Sequence, residues 1–171
     1  MATETKSNTF DKEFRKVLGP AGVILDKNDT VQQFNLGSIA YDDRGSEYVY
    51  LLGVASMVQF AWVNYRLLGD LTTAVALATT TTVDLRDPIA VACAATVANE
   101  YGWFQIKGPA YARYLTSMAL SGTVQSTSTA GVMDDANTTT VIGAKCDETE
   151  GGTGTDNLKT WLQYPHAGIA L

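Results

Sequence analysis

From residue 45 onward the chain is a succession of short segments rich in β-branched and aromatic residues, mostly separated by Gly, Asp or Pro. EYVYLLGV, VQFAWVNY, LTTAVALATTTTV, IAVACAATV, YGWFQIKG and YARYLTS follow one another between residues 47 and 117. Branched and aromatic side chains fit the pleated surface of a sheet, whereas Gly, Asp and Pro turn the chain. Turn signals that recur at this spacing restrict the chain to an all-β architecture. The expected fold is a mainly β, compact antiparallel barrel or sandwich. At 171 residues one domain has enough core to fold without staples.

Alternation within one segment sharpens the expectation. In 89–97, Ile89, Val91, Cys93, Ala95 and Val97 share one face, and Ala90, Ala92, Ala94 and Thr96 share the other. A strand with an alanine face fits close approach of a second layer or of another subunit. Ala90, Ala92 and Ala94 are therefore subunit-interface candidates, together with Trp103, Tyr111 and Tyr114. A helix starting at Asp87-Pro88 is the competing reading, because Asp caps and Pro suits a first helical turn. After 121, small polar and apolar residues alternate, which predicts short strands, with a loop at 150–156 and a last strand at 158–165. On that strand Trp161 and Tyr164 are expected on opposite faces.

The first 35 residues read differently. TFDKEFRKVLG predicts a short helix over 9–18, with Phe10, Phe14, Val17 and Leu18 on one stripe and Gly19-Pro20 as its stop. Two turns cannot persist alone in water, so the helix must dock. Residues 20–45 are irregular and punctuated by turn formers. This divides the chain into an N-terminal arm, 1–35, and a β-rich domain, 36–171.

A search for chemistry returns little. The one histidine, His166, has no nucleophile-elbow sequence to serve, and one His with two distant Cys cannot close a zinc shell. Cys93 lies in an Ala/Val run and reads as a small buried hydrophobe; Cys146, beside Lys145 and Asp147, reads as a surface thiol. DKNDT (26–30) starts like a calcium loop but places Val31 and Gly37 where Gly and Glu are needed. GGTGT has no following Lys-Ser/Thr. Neither an enzyme, a cofactor nor a metal is expected. A net charge of −6 and a pI near 4.6 argue against nucleic acid. The polar N-terminus and the interrupted apolar runs predict neither a secretion signal nor a membrane span. With only 18% charged residues, the surface must include Thr, Ser, Asn, Gly and apolar groups, a composition that packs against protein.

The order of three stretches, LGSIAYDDRGSEYVYLLGVAS, DPIAVACAATVANEYGWFQIKGPA and the closing WLQYP, resembles a group of small tailed-phage head decoration (capsid cement) proteins. The residues that carry the resemblance are Leu36-Gly37-Ser38, Gly45–Tyr48, Gly53–Ser56, Pro88–Val91 and Tyr101–Gly108. It covers residues 36–120, with a looser echo at 158–165, and none of its motifs is catalytic. It implies a β-rich virion structural protein on the outer capsid surface, assembled in the host cytoplasm. Its partners would be the major capsid protein and its own copies, as a homotrimer or a homodimer. Phe10, Phe14, Val17, Leu18, Ile24 and Leu25 are then the capsid-contact candidates. The alternative is a head-fibre or tail-associated module recognising host-surface carbohydrate through Trp62, Tyr65, Trp103, Tyr111 and Tyr114.

Overall fold

The computed structural model describes residues 17–18, 25–67, 73–79, 81–84, 86–116, 118–136, 139–148 and 154–169. The protein is mainly β and antiparallel, with no helix among the described residues. Its strands are β1 (Val17–Leu18), β2 (Ile39–Asp42), β3 (Glu47–Leu52), β4 (Trp62–Leu67), β5 (Thr73–Leu77) and β6 (Ile89–Ala92). They continue with β7 (Tyr101–Leu115), β8 (Thr123–Ser126), β9 (Met133–Asp134), β10 (Thr139–Cys146) and β11 (Thr155–Ile169).

β7 organises the rest. Its first half pairs with β3 and with β6, and its second half pairs with β11 from Lys107↔Gln163 to Leu115↔Thr155. A strand used this way must bury side chains on both faces, and YGWFQIKGPAYARYL does so in three places. Trp103 joins Ala40, Tyr48 and Tyr50 in an aromatic cluster. Phe104 and Ile106 join Val49, Leu51, Val63 and Ala90 in a second cluster. Ala110, Ala112 and Tyr114 join Trp62, Ile89, Val91, Leu158 and Leu162 in the largest. Gly108 divides the two halves at φ +92°, where a Cβ would stand 2.6 Å from Ser46 Oγ. Only glycine combines that dihedral with that approach. From β7 the pairing route runs through β11, β10, β8 and β9 and returns to β7 by one parallel bridge, Tyr114↔Met133.

β6 is a strand rather than a helix because it is buried on both sides. Ile89 and Val91 face the largest cluster, while Ala90 and Ala92 face the second. The alanine face is therefore a close contact between layers of one chain. Ala90, Ala92, Ala94, Trp103 and Tyr114 are all buried within the single chain. As subunit-interface candidates these five are corrected: their apolar surface is already out of water. Tyr111 alone stays partly exposed, against Phe60 at 6.0 Å.

The N-terminal reading changes as well. Residues 9–16 of the expected helix, with Phe10 and Phe14, lie outside the described residues, as does Ile24. Its last two residues, Val17 and Leu18, form strand β1 against Asp42 and Tyr41 of β2. An open sheet edge offers backbone partners that the end of a two-turn helix lacks. Nor does the boundary at residue 35 separate two bodies. Leu25, Phe34 and Leu36 pack on the aromatic cluster, and Asp29 exchanges two 2.8 Å backbone hydrogen bonds with Tyr101. The Tyr50 hydroxyl adds to this tie by donating to Asp29 Oδ2 at 2.7 Å. Burial pushes the Tyr50 phenol well above its ordinary range.

The turn between β2 and β3 is organised by Asp42, the first of two adjacent acids, Asp42-Asp43. Asp42 Oδ1 accepts the N–H groups of Arg44 (3.0 Å) and Ser46 (2.8 Å), and Asp42 Oδ2 accepts the Tyr48 hydroxyl (2.9 Å). This is the local hydrogen bonding that turn acids supply.

Candidate functional site

The residues singled out for chemistry are placed apart. His166 is half-buried on β11, and its Nδ1 lies 3.3 Å from the backbone carbonyl of Tyr164. Cys93 and Cys146 are both free thiols. Cys93 is half-buried beside the aromatic cluster, as its apolar neighbours imply. Cys146, expected at the surface, is buried in the largest cluster, because β10 turns it inward opposite Thr160. Burial pushes its thiol up. No group of three or more His, Cys, Asp or Glu among the described residues is arranged to hold a metal ion. Among the described residues no helix is long and apolar enough to cross a membrane.

One ion pair, with a buried carboxylate and a half-exposed guanidinium, has a structural role. Asp87 accepts Arg66 Nε at 2.8 Å and Nη2 at 3.1 Å, and also accepts from the Asp84 N–H (3.1 Å) and from Asn64 Nδ2 (3.3 Å). Arg66 also bonds Asp84. Burial alone would raise the Asp87 carboxyl, but these donors hold it below its ordinary value. The group ties Thr82, Asp84 and Asp87 to Asn64 and Arg66 of β4.

The outward face of the β7–β11 ladder is where polar and aromatic groups gather. Registered partners share a face, so the rows Arg113↔Asn157, Tyr111↔Lys159, Pro109↔Trp161 and Lys107↔Gln163 form one strip. The intervening Ala110, Ala112, Leu158 and Leu162 point into the largest cluster. Cross-strand pairing extends the strip at Trp161 to Lys145 on β10, and at Lys107 to Glu47 on β3 and then Tyr41 on β2. Trp161 is 56% exposed, and Tyr41 and Tyr164 are 47% exposed.

Tyr164 reaches this strip through an irregularity. Between Ile142↔His166 and Ala144↔Leu162, β11 has two residues more than β10. Tyr164 adopts φ +48° there. The expected opposition of Trp161 and Tyr164 is thereby corrected, because the bulge breaks the alternation and leaves Trp161, Gln163 and Tyr164 all exposed. Pro165 is the residue within 158–165 that marks this bulge, since a strand paired on both sides takes proline only where the ladder is interrupted. Gly143 on the neighbouring strand lets the backbone of Gln163 approach closely there.

At this end of the strip three groups lock together. Lys107 Nζ donates to Glu47 Oε1 (2.7 Å), the Tyr164 hydroxyl donates to Glu47 Oε2 (2.8 Å), and Lys107 Nζ lies 5.4 Å from the Tyr164 ring centroid. Burial raises the Glu47 carboxyl, but the two donors outweigh it and hold the group below its ordinary value. The hydrogen bond with Glu47 in turn raises both the Lys107 ammonium and the Tyr164 phenol. Because the Glu47 carboxyl is depressed in the folded chain, its stabilisation is present above the unfolded value and is lost as pH falls through the folded one. We expect the stability difference between the protein and its Glu47→Gln variant to be largest near neutrality and to shrink below about pH 4. Melting temperatures of both proteins across pH 2–7 check this. A difference that does not vary with pH would mean the carboxylate charge contributes nothing.

At the other end of the strip lies an open depression of about 290 Å³, lined by Val58, Gln59, Phe60, Arg113, Thr155 and Asn157. Arg113 Nη2 donates to Thr155 Oγ1 at 2.9 Å, and the Arg113 N–H donates to the Phe60 carbonyl at 3.1 Å. Phe60 and nearby Ser56 hold φ +67° and +63°, a left-handed conformation uncommon for residues with side chains.

Comparison with known proteins finds no matching family model, no matching curated protein and no matching solved structure.

Proposed function

We propose that the protein is a virion structural protein, a decoration or cement protein that binds the outer face of the major capsid protein shell and stabilises it. The observation that supports this reading is the way the segments of the resemblance converge. Gly45–Tyr48 leads into β3, Pro88–Val91 forms β6, and both strands pair with Tyr101–Gly108 of β7. Gly53 donates its N–H to the Glu100 carbonyl, and Gly37 donates its own to Tyr50. Residues far apart in the chain thus make one contiguous unit, which is what a fold-defining pattern requires. The return of the pairing route from β9 to β7 favours a barrel over an open sandwich.

In this reading the capsid contact falls to Phe10, Phe14, Val17, Leu18 and Ile24. Leu25 is removed from the set, because it packs on the chain's own aromatic cluster. A few buried apolar side chains supply most of a contact's energy, and copies repeated over a shell, as homotrimers or homodimers, add avidity. Full-length protein is expected to sediment with shells of its own phage. Loss of residues 1–16, which spares the packed 25–35 segment, should weaken that binding at least ~10-fold. Full-length protein that stays in the supernatant would sink the proposal; equal binding by both would sink the arm's part in it.

A further inference from the structure

Of the aromatic residues first considered for carbohydrate recognition, only Tyr111 keeps some exposed surface. Trp62, Tyr65, Trp103 and Tyr114 are buried, and Tyr111 is packed against Phe60. The strip on β7 and β11 presents another set. Trp161 and Tyr164 offer exposed rings, Gln163, Asn157 and Gln59 offer amides, and Thr155 offers a hydroxyl. The Lys107–Glu47–Tyr164 lock holds one ring in place before any ligand arrives. We propose that this strip binds an acidic oligosaccharide. Its sugar rings lie along Trp161 and Tyr164, and a carboxylate or sulfate meets Arg113 in the depression. The proposal stands without the capsid reading.

Size and charge select this occupant. Six residues separate the row of Arg113 from that of Lys107, about 20 Å along the strand, and β7 to β10 spans about 10 Å. A footprint near 200 Å² is roughly a quarter of what each partner of a stable protein interface contributes. It suits a chain of a few sugar rings. The depression, at about 290 Å³, matches the lower end of small-molecule sites, roughly 300 Å³. Within a chain of net charge −6, the strip collects Arg113, Lys107, Lys145 and Lys159 against three carboxylates, Glu47, Glu148 and the exposed Asp147 opposite Lys159. Arg113 and Lys145 have no carboxylate partner among the described residues. Local positive charge of this kind draws an anionic ligand, and a planar guanidinium matches a carboxylate or sulfate by paired hydrogen bonds.

The chain supplies its own reporter. Of its three tryptophans, Trp62 and Trp103 are buried and Trp161 is exposed. Acrylamide quenching therefore reads Trp161. Full-length protein is titrated with tetragalacturonate, sialyllactose, a heparin tetrasaccharide and neutral maltotetraose, and binding is confirmed by calorimetry. At least one acidic sugar should shield Trp161 and bind at least ~10-fold more tightly than maltotetraose. Arg113→Gln should erase the preference for the acidic sugar. Trp161→Ala, with an unchanged melting temperature, should weaken calorimetric binding by about tenfold. No shielding by any acidic sugar overturns the proposal, as does equal affinity for the neutral one. Wild-type binding by Arg113→Gln overturns it too. Shielding of Trp161 by capsid shells but by no sugar also overturns it, and assigns the strip to a protein contact instead.

Discussion

Replacing Trp62 by alanine should remove about 3–5 kcal/mol from the fold, the range for deleting a buried large aromatic side chain. Trp62 has no exposed surface, meets the Tyr114 ring edge-on at 5.8 Å, and donates its Nε1–H to the Arg113 carbonyl at 3.0 Å. Alanine leaves a cavity in the largest cluster and an acceptor without its donor, and both losses act in the same direction. The backbone around it is held by bonds from Trp62 N–H to the Gly131 carbonyl and from Ala78 N–H to the Trp62 carbonyl, so collapse into the gap is restricted. Against a typical total of about 5–15 kcal/mol, this is a large share. The melting temperature should fall by roughly 10 °C, read by calorimetry and checked by urea unfolding. Trp62→Phe keeps a six-membered ring and loses the five-membered one with its donor, so its cavity is smaller and its loss should be clearly smaller. A loss below ~1 kcal/mol for the alanine variant would show that the cluster closes over the gap.

Gly143→Ala should have the next largest effect. Gly143 sits at φ +81°, and a Cβ there would stand 2.4 Å from the Gln163 carbonyl oxygen, a backbone atom that cannot swing aside. The dihedral alone costs about 1–2 kcal/mol for a residue with a side chain. Displacing β11 adds to this, so we expect ~2–4 kcal/mol in all. The loss should also be specific. Moving Gln163 shifts the bulge that carries Tyr164, so the bond from Tyr164 to Glu47 goes with it. In a double-mutant cycle, Gly143→Ala and Glu47→Gln should therefore lose less together than the sum of the two. Strict additivity in urea unfolding would mean that the bulge and the Glu47 lock are independent.

The face assignments within YGWFQIKG were legible. Phe104 and Ile106 go to one cluster and Trp103 to another, as strict alternation requires. The strip that gathers the candidate site was not, because it is assembled by register. Lys107, Gln163, Trp161 and Lys145 are unremarkable in their own segments and meet only through the β7–β11–β10 pairing. Buriedness misled in the same way. The alanine face of β6 and the Trp103 side chain look like interface material until Leu25, Phe34 and the second cluster cover them.

Side-chain periodicity and turn chemistry are local properties, written in two to four neighbouring residues, and from them follow the β class, the faces of β7 and the hydrogen-bonding turn at Asp42. Which face stays open to water is a non-local property. It depends on strand pairing and on side-chain contacts across up to 117 residues, as in the hydrogen bond from Tyr164 to Glu47. It depends also on the bulge at Tyr164, which lies against Gly143 of a different strand. Those long-range contacts carry no local pattern, so the exposed strip exists only once the sheet has formed.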